Sequence, residues 1–272
     1  TYGFKLPFAT APNKEQRFVT HEFKPTQQTM VCLRLPFKTK KLHRHIRNES
    51  WSMACKRCES HPKDARSWTK QNGFYEGSIN TTVLPIHLAC ALGAPLSLFE
   101  CLLAAYPESA LSAESQYKRI PLHLACIYNH RLDVIELLLS RFAKGAQVCD
   151  SIGRTPLFYV MSTDPPVDMV ECLLNAYPES IRTPDHMGWL PIHVACHMGC
   201  SNEAIIKLLD AYPESLYAKT KNGSRPKIND DVLSQWRNNQ RHEQADDGSC
   251  AESEVGDDAV FLLPSEGSTV FA

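Results

Sequence analysis

The chain writes one phrase four times. Leu84-Pro85-Ile86-His87-Leu88-Ala89-Cys90 returns as Ile120-Pro121-Leu122-His123-Leu124-Ala125-Cys126 and as Leu190-Pro191-Ile192-His193-Val194-Ala195-Cys196. Between the last two it stands altered, as Thr155-Pro156-Leu157-Phe158-Tyr159-Val160-Met161. The prolines fall at 85, 121, 156 and 191, with an echo at Arg225-Pro226, so the intervals are 36, 35, 35 and 35 residues. A second phrase keeps the same beat: Ala105-Tyr106-Pro107-Glu108-Ser109, Ala176-Tyr177-Pro178-Glu179-Ser180 and Ala211-Tyr212-Pro213-Glu214-Ser215, replaced in the second unit by Phe142-Ala143-Lys144-Gly145-Ala146. A fixed period of this size restricts the fold to stacked, self-similar units.

The unit can be built from its residues. Proline at the first position of a helix gives up an N–H that has no intrahelical partner and supplies a helical φ. Thr155 ahead of Pro156 is an expected N-cap, whereas Leu84, Ile120 and Leu190 have no capping oxygen and must lean on neighbours. A short helix of small and apolar residues follows. A second helix carries apolar residues at helical spacing: Leu98, Phe99, Leu102 and Leu103, then Val134, Ile135, Leu138 and Leu139. Val170, Leu173 and Leu174, and then Ile205, Ile206, Leu208 and Leu209, repeat the pattern. The proline of Tyr-Pro disfavours α conformation in the residue before it and ends that helix. A polar finger such as Asp150-Ser151-Ile152-Gly153-Arg154 leads into the next unit. One helix pair cannot bury its own apolar faces, so the units must stack.

Lys144 to Leu157, with Gly153-Arg154-Thr155-Pro156-Leu157 at its end, resembles the finger of the ankyrin repeat. The usual period of that family is about 33, and the additional residues are expected in the Tyr-Pro-Glu-Ser connection. The resemblance covers about residues 83 to 226. It implies an all-α solenoid of about four helix-turn-helix repeats plus degenerate capping repeats, acting as a protein-interaction scaffold without catalysis or cofactor. It also implies that His87, His123 and His193 are structural hydrogen-bonders to a neighbouring finger.

The ends of the chain read differently. Residues 1–47 hold ten Lys or Arg against two acids, or +8, and residues 241–272 hold eight acids against Arg241, or −7, although the whole chain is at −1. Opposite tails around a neutral middle are expected to be flexible and solvated. The expected organisation is a basic, mostly irregular arm over 1–45 and a degenerate N-terminal capping repeat with a long finger over 46–82. Repeats over 83–226, a capping helix over 227–240 and an acidic disordered tail over 241–272 complete it. Met30 to Leu35 is a candidate strand, and Val260-Phe261-Leu262-Leu263 and Val270-Phe271 are apolar islands in the tail. Glu49 to Arg57 reads as the second helix of the capping repeat, Arg66 to Thr82 as a long finger, and Asp230 to Asn239 as a helix with Val232, Leu233 and Trp236 on one side.

No stretch approaches the length of an apolar membrane span. The eleven cysteines are an odd number; Cys90, Cys126 and Cys196 sit at equivalent small positions of the first helix and read as core residues in a reducing, intracellular compartment, cytoplasmic or nuclear. Cys55, Cys58 and His61 have metal-like spacing, but zinc needs four ligands and only one such pair is present, so two core cysteines on one helix face are the expectation. The sequence contains no phosphate loop, nucleophile elbow or carboxylate pair pointing to an enzyme.

Finger tips and the ends of the first helices point to one concave side of such a stack. By register on the prolines, that side exposes Tyr117, Arg119 and Tyr128, then Ile152 and Arg154, then His186, Met187, Trp189, His197 and Met198. Tyr, Trp, Arg and Met are enriched at interface centres, so these ten residues are the expected binding surface for an unknown protein partner of a monomeric chain. The rival readings are a nucleic-acid or acidic-membrane binder using the basic arm, and a regulatory piece of a larger repeat protein.

Overall fold

The computed structural model describes residues 40–75 and 80–247. The candidate strand at Met30–Leu35, most of the basic arm, and the apolar islands of the tail lie outside the described residues.

Helices α1 (Lys41–Arg47) and α2 (Trp51–Ser60) are followed by strands β1 (Thr69–Asn72) and β2 (Asn80–Val83). The four repeats then contribute α3 (Pro85–Ala91) and α4 (Leu96–Ala105), and α5 (Pro121–Ile127) and α6 (Leu132–Arg141). They continue as α7 (Pro156–Val160) and α8 (Val167–Ala176), and α9 (Pro191–Met198) and α10 (Asn202–Ala211). A last helix, α11, spans Asp230–Asp247. Each repeated proline is the first residue of its helix, as the fixed φ of proline dictates.

The first helices α1, α3, α5, α7 and α9 stack on one another in that order, and the second helices α2, α4, α6, α8 and α10 stack in parallel with them. All fifteen apolar positions expected on the second helices of the repeats are buried in one continuous core. Each such side chain contributes about 1.5–3 kcal/mol when fully buried, and every second helix packs on its neighbour in the adjoining unit.

The second helix of each repeat ends immediately before an aromatic residue, which proline follows in three of the four. Tyr106, Phe142, Tyr177 and Tyr212 leave the helix at φ near −152°, −151°, −154° and −152°, while their N–H groups still reach a carbonyl four residues back. A single 3-10 turn follows at Pro107–Leu111, Ala143–Gln147, Pro178–Arg182 and Pro213–Tyr217. The serine of Tyr-Pro-Glu-Ser is buried inside that turn at 109, 180 and 215, and Gly145 takes its place in the second unit. Small size at this position, more than the proline, is what the turn requires.

The N-terminal end differs from the expected layout. Lys41 to Arg47, which straddles the boundary expected between the irregular arm and the capping repeat, is a helix whose Leu42, His43 and Ile46 are buried and which packs against α3. It is the first helix of the capping repeat, with Lys41 where the other units have proline and Leu42-His43 where they have Ile86-His87. The long finger between Arg66 and Thr82 contains a two-stranded antiparallel hairpin, Thr69 opposite Val83 and Asn72 opposite Asn80. Its polar strands hide the period of two, yet Gln71 and Thr81 face inward, and the Arg47 guanidinium donates to the Gln71 side-chain carbonyl.

The C-terminal end also departs from expectation. The helix expected over Asp230–Asn239 continues to Asp247, through residues assigned to a disordered tail, because nothing between Gln240 and Asp247 breaks a helix. Val232 is buried and Trp236 donates its indole N–H to Asp210 on α10 at 2.9 Å. This helix covers the last repeat as expected of a terminal cap.

Candidate functional site

Adjacent fingers are joined to each other by their main chains. Ser115 N–H donates to Thr82 O, Ser151 N–H to Tyr117 O, His186 N–H to Ile152 O, and Lys221 N–H to Met187 O, at 3.3, 2.7, 2.9 and 3.0 Å. The row therefore begins on strand β2 and crosses four fingers without a break.

Each finger is held in shape by one polar side chain at its base. The Asp150 carboxylate accepts from the N–H groups of Ile152 and Arg154, both at 3.0 Å, and Asp185 accepts from Met187 and Trp189 at 2.8 and 2.9 Å. Glu114 does the same for Gln116, Tyr117 and Arg119, and the Thr220 hydroxyl accepts from Ser224. These are Asx-type turns, in which a side-chain oxygen satisfies main-chain donors that the turn leaves over. The turn closes on a residue with positive φ: Lys118 at 60°, Gly153 at 83°, Gly188 at 77° and Gly223 at 77°. At Gly153 and Gly188 the next finger passes so close that an added Cβ would lie 2.7 Å from His186 and 2.9 Å from the Lys221 nitrogen. Glycine is required there for conformation and for room. The first finger reaches the same closing position with one more residue between its carboxylate and Lys118, which accounts for the single 36-residue interval.

The repeated histidines lie beneath the fingers. Nδ1 of His87, His123 and His193 accepts from the N–H of Leu84, Ile120 and Leu190, at 3.0, 3.3 and 3.1 Å. Nε2 donates to Ser112 O, Arg154 O and Ala218 O, at 2.8, 3.1 and 3.2 Å. This is how helices that start on Leu or Ile are capped. The expected cap at Thr155 is absent: its hydroxyl makes no cap bond, and it is buried. Burial, opposed only in part by these hydrogen bonds, lowers the pKa of His87 and of His123 to about 4 and lowers that of His193. Neutral rings with Nδ1 as acceptor and Nε2–H as donor satisfy every contact.

Arg119 and Arg154, expected at the exposed surface, are buried at 3% and 4%. Each turns inward to the next finger: Arg119 Nε lies 3.3 Å from Asp150 and Arg154 Nε 3.2 Å from Asp185. Arg119 also donates to the Tyr159 hydroxyl at 2.7 Å, and Tyr159 donates to Asp150. The Arg119 guanidinium lies over the rings of Tyr117, Tyr159 and Tyr75 at 4.3, 4.9 and 5.1 Å. Arg154 lies 4.7 Å from the ring centre of Phe158. Buried ion pairs of this kind fix the register of one finger on the next and spend their charge inside the fold.

The other expected surface residues are reachable to different degrees. His186, Met187 and His197 are exposed, and Tyr117, Tyr128, Ile152, Trp189 and Met198 are half-buried. The Trp189 ring lies between two histidines, 5.9 Å from His193 and 5.6 Å from His197, edge-on to the latter. Tyr117, Ile152 and Met187 occupy one register, each next to the closing residue of its finger, and so form a row along the tips. Asn222 continues the row.

The family model for ankyrin repeats matches residues 122–219, in three copies. Residues 122–219 are ankyrin repeats. No curated protein matches the sequence. Ankyrin repeats are in general protein–protein interaction modules, typically without catalysis, and finger tips with first-helix ends are among the parts of this stack that its own packing leaves open.

The weak metal candidate does not assemble into a ligand set. Cys58 is buried, Cys55 contacts the carbonyl of Ser97 on α4, and His61 contacts Ser60. Among the described residues no group of three or more His, Cys, Asp or Glu is placed to hold a metal. Cys90 and Cys126 are buried, and burial pushes both thiols well up, whereas Cys196 is half-buried. Among the described residues no helix is long and apolar enough to cross a membrane.

Proposed function

We propose that this chain is a non-catalytic scaffold that binds a protein partner along its finger tips and first-helix ends. The surface comprises Tyr117, Ile152, His186, Met187 and Trp189 at the tips and Tyr128, His197 and Met198 at the helix ends. The observation that carries this reading is the single register of Tyr117, Ile152 and Met187 on fingers linked main chain to main chain. Such a row presents side chains to a partner with almost no ordering left to do on binding, which lowers the entropic cost of association. Arg119 and Arg154 hold the fingers and touch no partner. Nine described cysteines are free thiols, which supports a reducing compartment.

The test is capture from the native cell lysate with the full chain, run beside an Ile152→Ser/Met187→Ser/Trp189→Ala form whose helicity is checked by circular dichroism. Proteins retained by wild type and lost by the folded variant are the expected result. Capture of the same proteins by both forms would refute this surface.

A further inference from the structure

The charges on the finger row follow a pattern that its apolar tips alone do not explain. Its segments 114–119, 150–154, 185–189 and 220–224 contain three carboxylates, Glu114, Asp150 and Asp185. All three are buried, at 0%, 6% and 5%, and turned inward as caps of their own fingers. Of the four cations in these segments, Arg119 and Arg154 are buried against two of those carboxylates, and Lys118 and Lys221 stay outside. Lys118 is exposed at one end of the row, and Lys221, with Lys219 and Arg225 beside it, is exposed at the other. Ile152 and Met187 lie between the two ends. Away from the fingers the balance reverses: on the second helices and 3-10 turns Glu100, Glu108, Glu136, Glu179, Glu203 and Glu214 are all exposed.

We propose that the finger row takes an acidic peptide segment with an apolar anchor in its middle. The proposal rests on the reading of the finger tips as the partner-binding surface and adds the chemistry of what binds there. The anchor lies over Ile152 and Met187, and carboxylates on either side of it face Lys118 and Lys221. A neutral or basic segment would meet cations at both ends with no exposed carboxylate in the four finger segments to answer them. Complementary charge at the two ends also sets the alignment of an extended segment along the row, since only an anchor at the right distance from both acidic flanks satisfies all three contacts. The chain itself contains a sequence of this composition: residues 252–266 read Glu-Ser-Glu-Val-Gly-Asp-Asp-Ala-Val-Phe-Leu-Leu-Pro-Ser-Glu.

The experiment is selection of a random displayed-peptide library against the full-length chain. Enriched peptides are then measured against wild type, Lys118→Glu/Lys221→Glu and Ile152→Ser/Met187→Ser. All four positions are exposed or half-buried, and circular dichroism confirms that the variants fold. The expected result is enrichment of peptides with Asp or Glu flanking an aromatic or aliphatic centre, with binding that weakens on the order of tenfold in the charge-reversed variant and weakens with added salt. No enrichment, enrichment of neutral or basic peptides, or equal binding to the charge-reversed form would overturn the acidic partner while leaving the finger row as a site. Acidic peptides indifferent to Ile152→Ser/Met187→Ser would overturn the finger row itself. A single-stranded oligonucleotide bound more tightly than any peptide would replace the proposal with nucleic-acid binding. If neutralising Glu252, Glu254, Asp257, Asp258 and Glu266 to their amides in the full chain tightened peptide binding, the chain's own C-terminal segment would be a competing occupant of the same chemistry, in support.

Discussion

In repeats one, two and four a histidine ties the start of the first helix, through Nδ1, to the main chain beyond the 3-10 turn at Ser112, Arg154 and Ala218, through Nε2. In repeat three the position belongs to Phe158, which can do neither, and the next residue is Tyr159 where the others have Leu or Val. Yet Tyr159 is the largest fully buried side chain in the described protein, and its hydroxyl sits between Arg119 and Asp150. The unit that reads as decayed in sequence is the centre of the buried ionic network. A missing motif letter therefore marks a change of hydrogen-bonding partner, with the finger of repeat two reaching across to repeat three in place of the histidine bridge.

The comparison can be broken most directly at Asp150. Asp150→Ala removes the acceptor for two main-chain donors and for Tyr159, and it strands the Arg119 guanidinium in the interior. A loss of about 3–5 kcal/mol is expected, read as a lower midpoint in urea unfolding. A loss below about 1 kcal/mol would mean that the network is incidental to repeat three.

Next in size is the response of the histidine repeats to acid. His87 and His123 have pKa values lowered by burial to about 4 in the folded chain, against 6.5 when exposed. The unfolded chain thus binds more protons between those limits, so stability is full above pH 6.5 and falls as the pH drops toward 4. Each histidine contributes about 3 kcal/mol to that fall. His123→Phe should flatten the urea midpoint's dependence on pH, and a profile as steep as that of wild type would show that His123 is not a source of it.

Tyr159→Phe is a gentler test, since it leaves the ring in place and removes only the hydroxyl between Arg119 and Asp150. About 1–3 kcal/mol is expected from the unsatisfied partners, by the same urea measurement, with no change in the acid response. The smallest effect belongs to Phe158→His, which restores the common phrase. It should destabilise by about 1 kcal/mol, through lost ring volume and the lost face beneath Arg154. Stabilisation instead would identify repeat three as a worn copy of its neighbours.

Much of the stack was legible because its signals are local. A proline starting a helix, a proline ending the next and apolar residues at helical spacing each act within a turn or two of themselves. The buried arginines were not legible in that way, since Arg119 and Arg154 find their partners 31 residues on. The recurrence of Asp at 150 and 185 at that fixed offset is the one sequence signal that pairs them. Helix α1 was missed because Lys41 stands where proline announces the other units, although Leu42-His43 keeps their next two letters. The hairpin was missed because its strands are polar outside and two of its three buried residues, Gln71 and Thr81, are polar too, with Val83 the third. Of the ten expected surface residues, three are exposed and five half-buried. The two that failed are the charged ones, which a neighbouring finger had already recruited.

Beside the buried ion pairs, the fingers are linked by main-chain atoms, an N–H on one side and a carbonyl on the other. The letters at 117, 152, 187 and 222 are therefore spelled on a rail that does not read them. Tyr117 is tied to the Arg119 guanidinium, but Ile152 and Met187 can be rewritten without retuning their neighbours, so what the row presents is free to drift there one residue at a time while the stack beneath it stays the same.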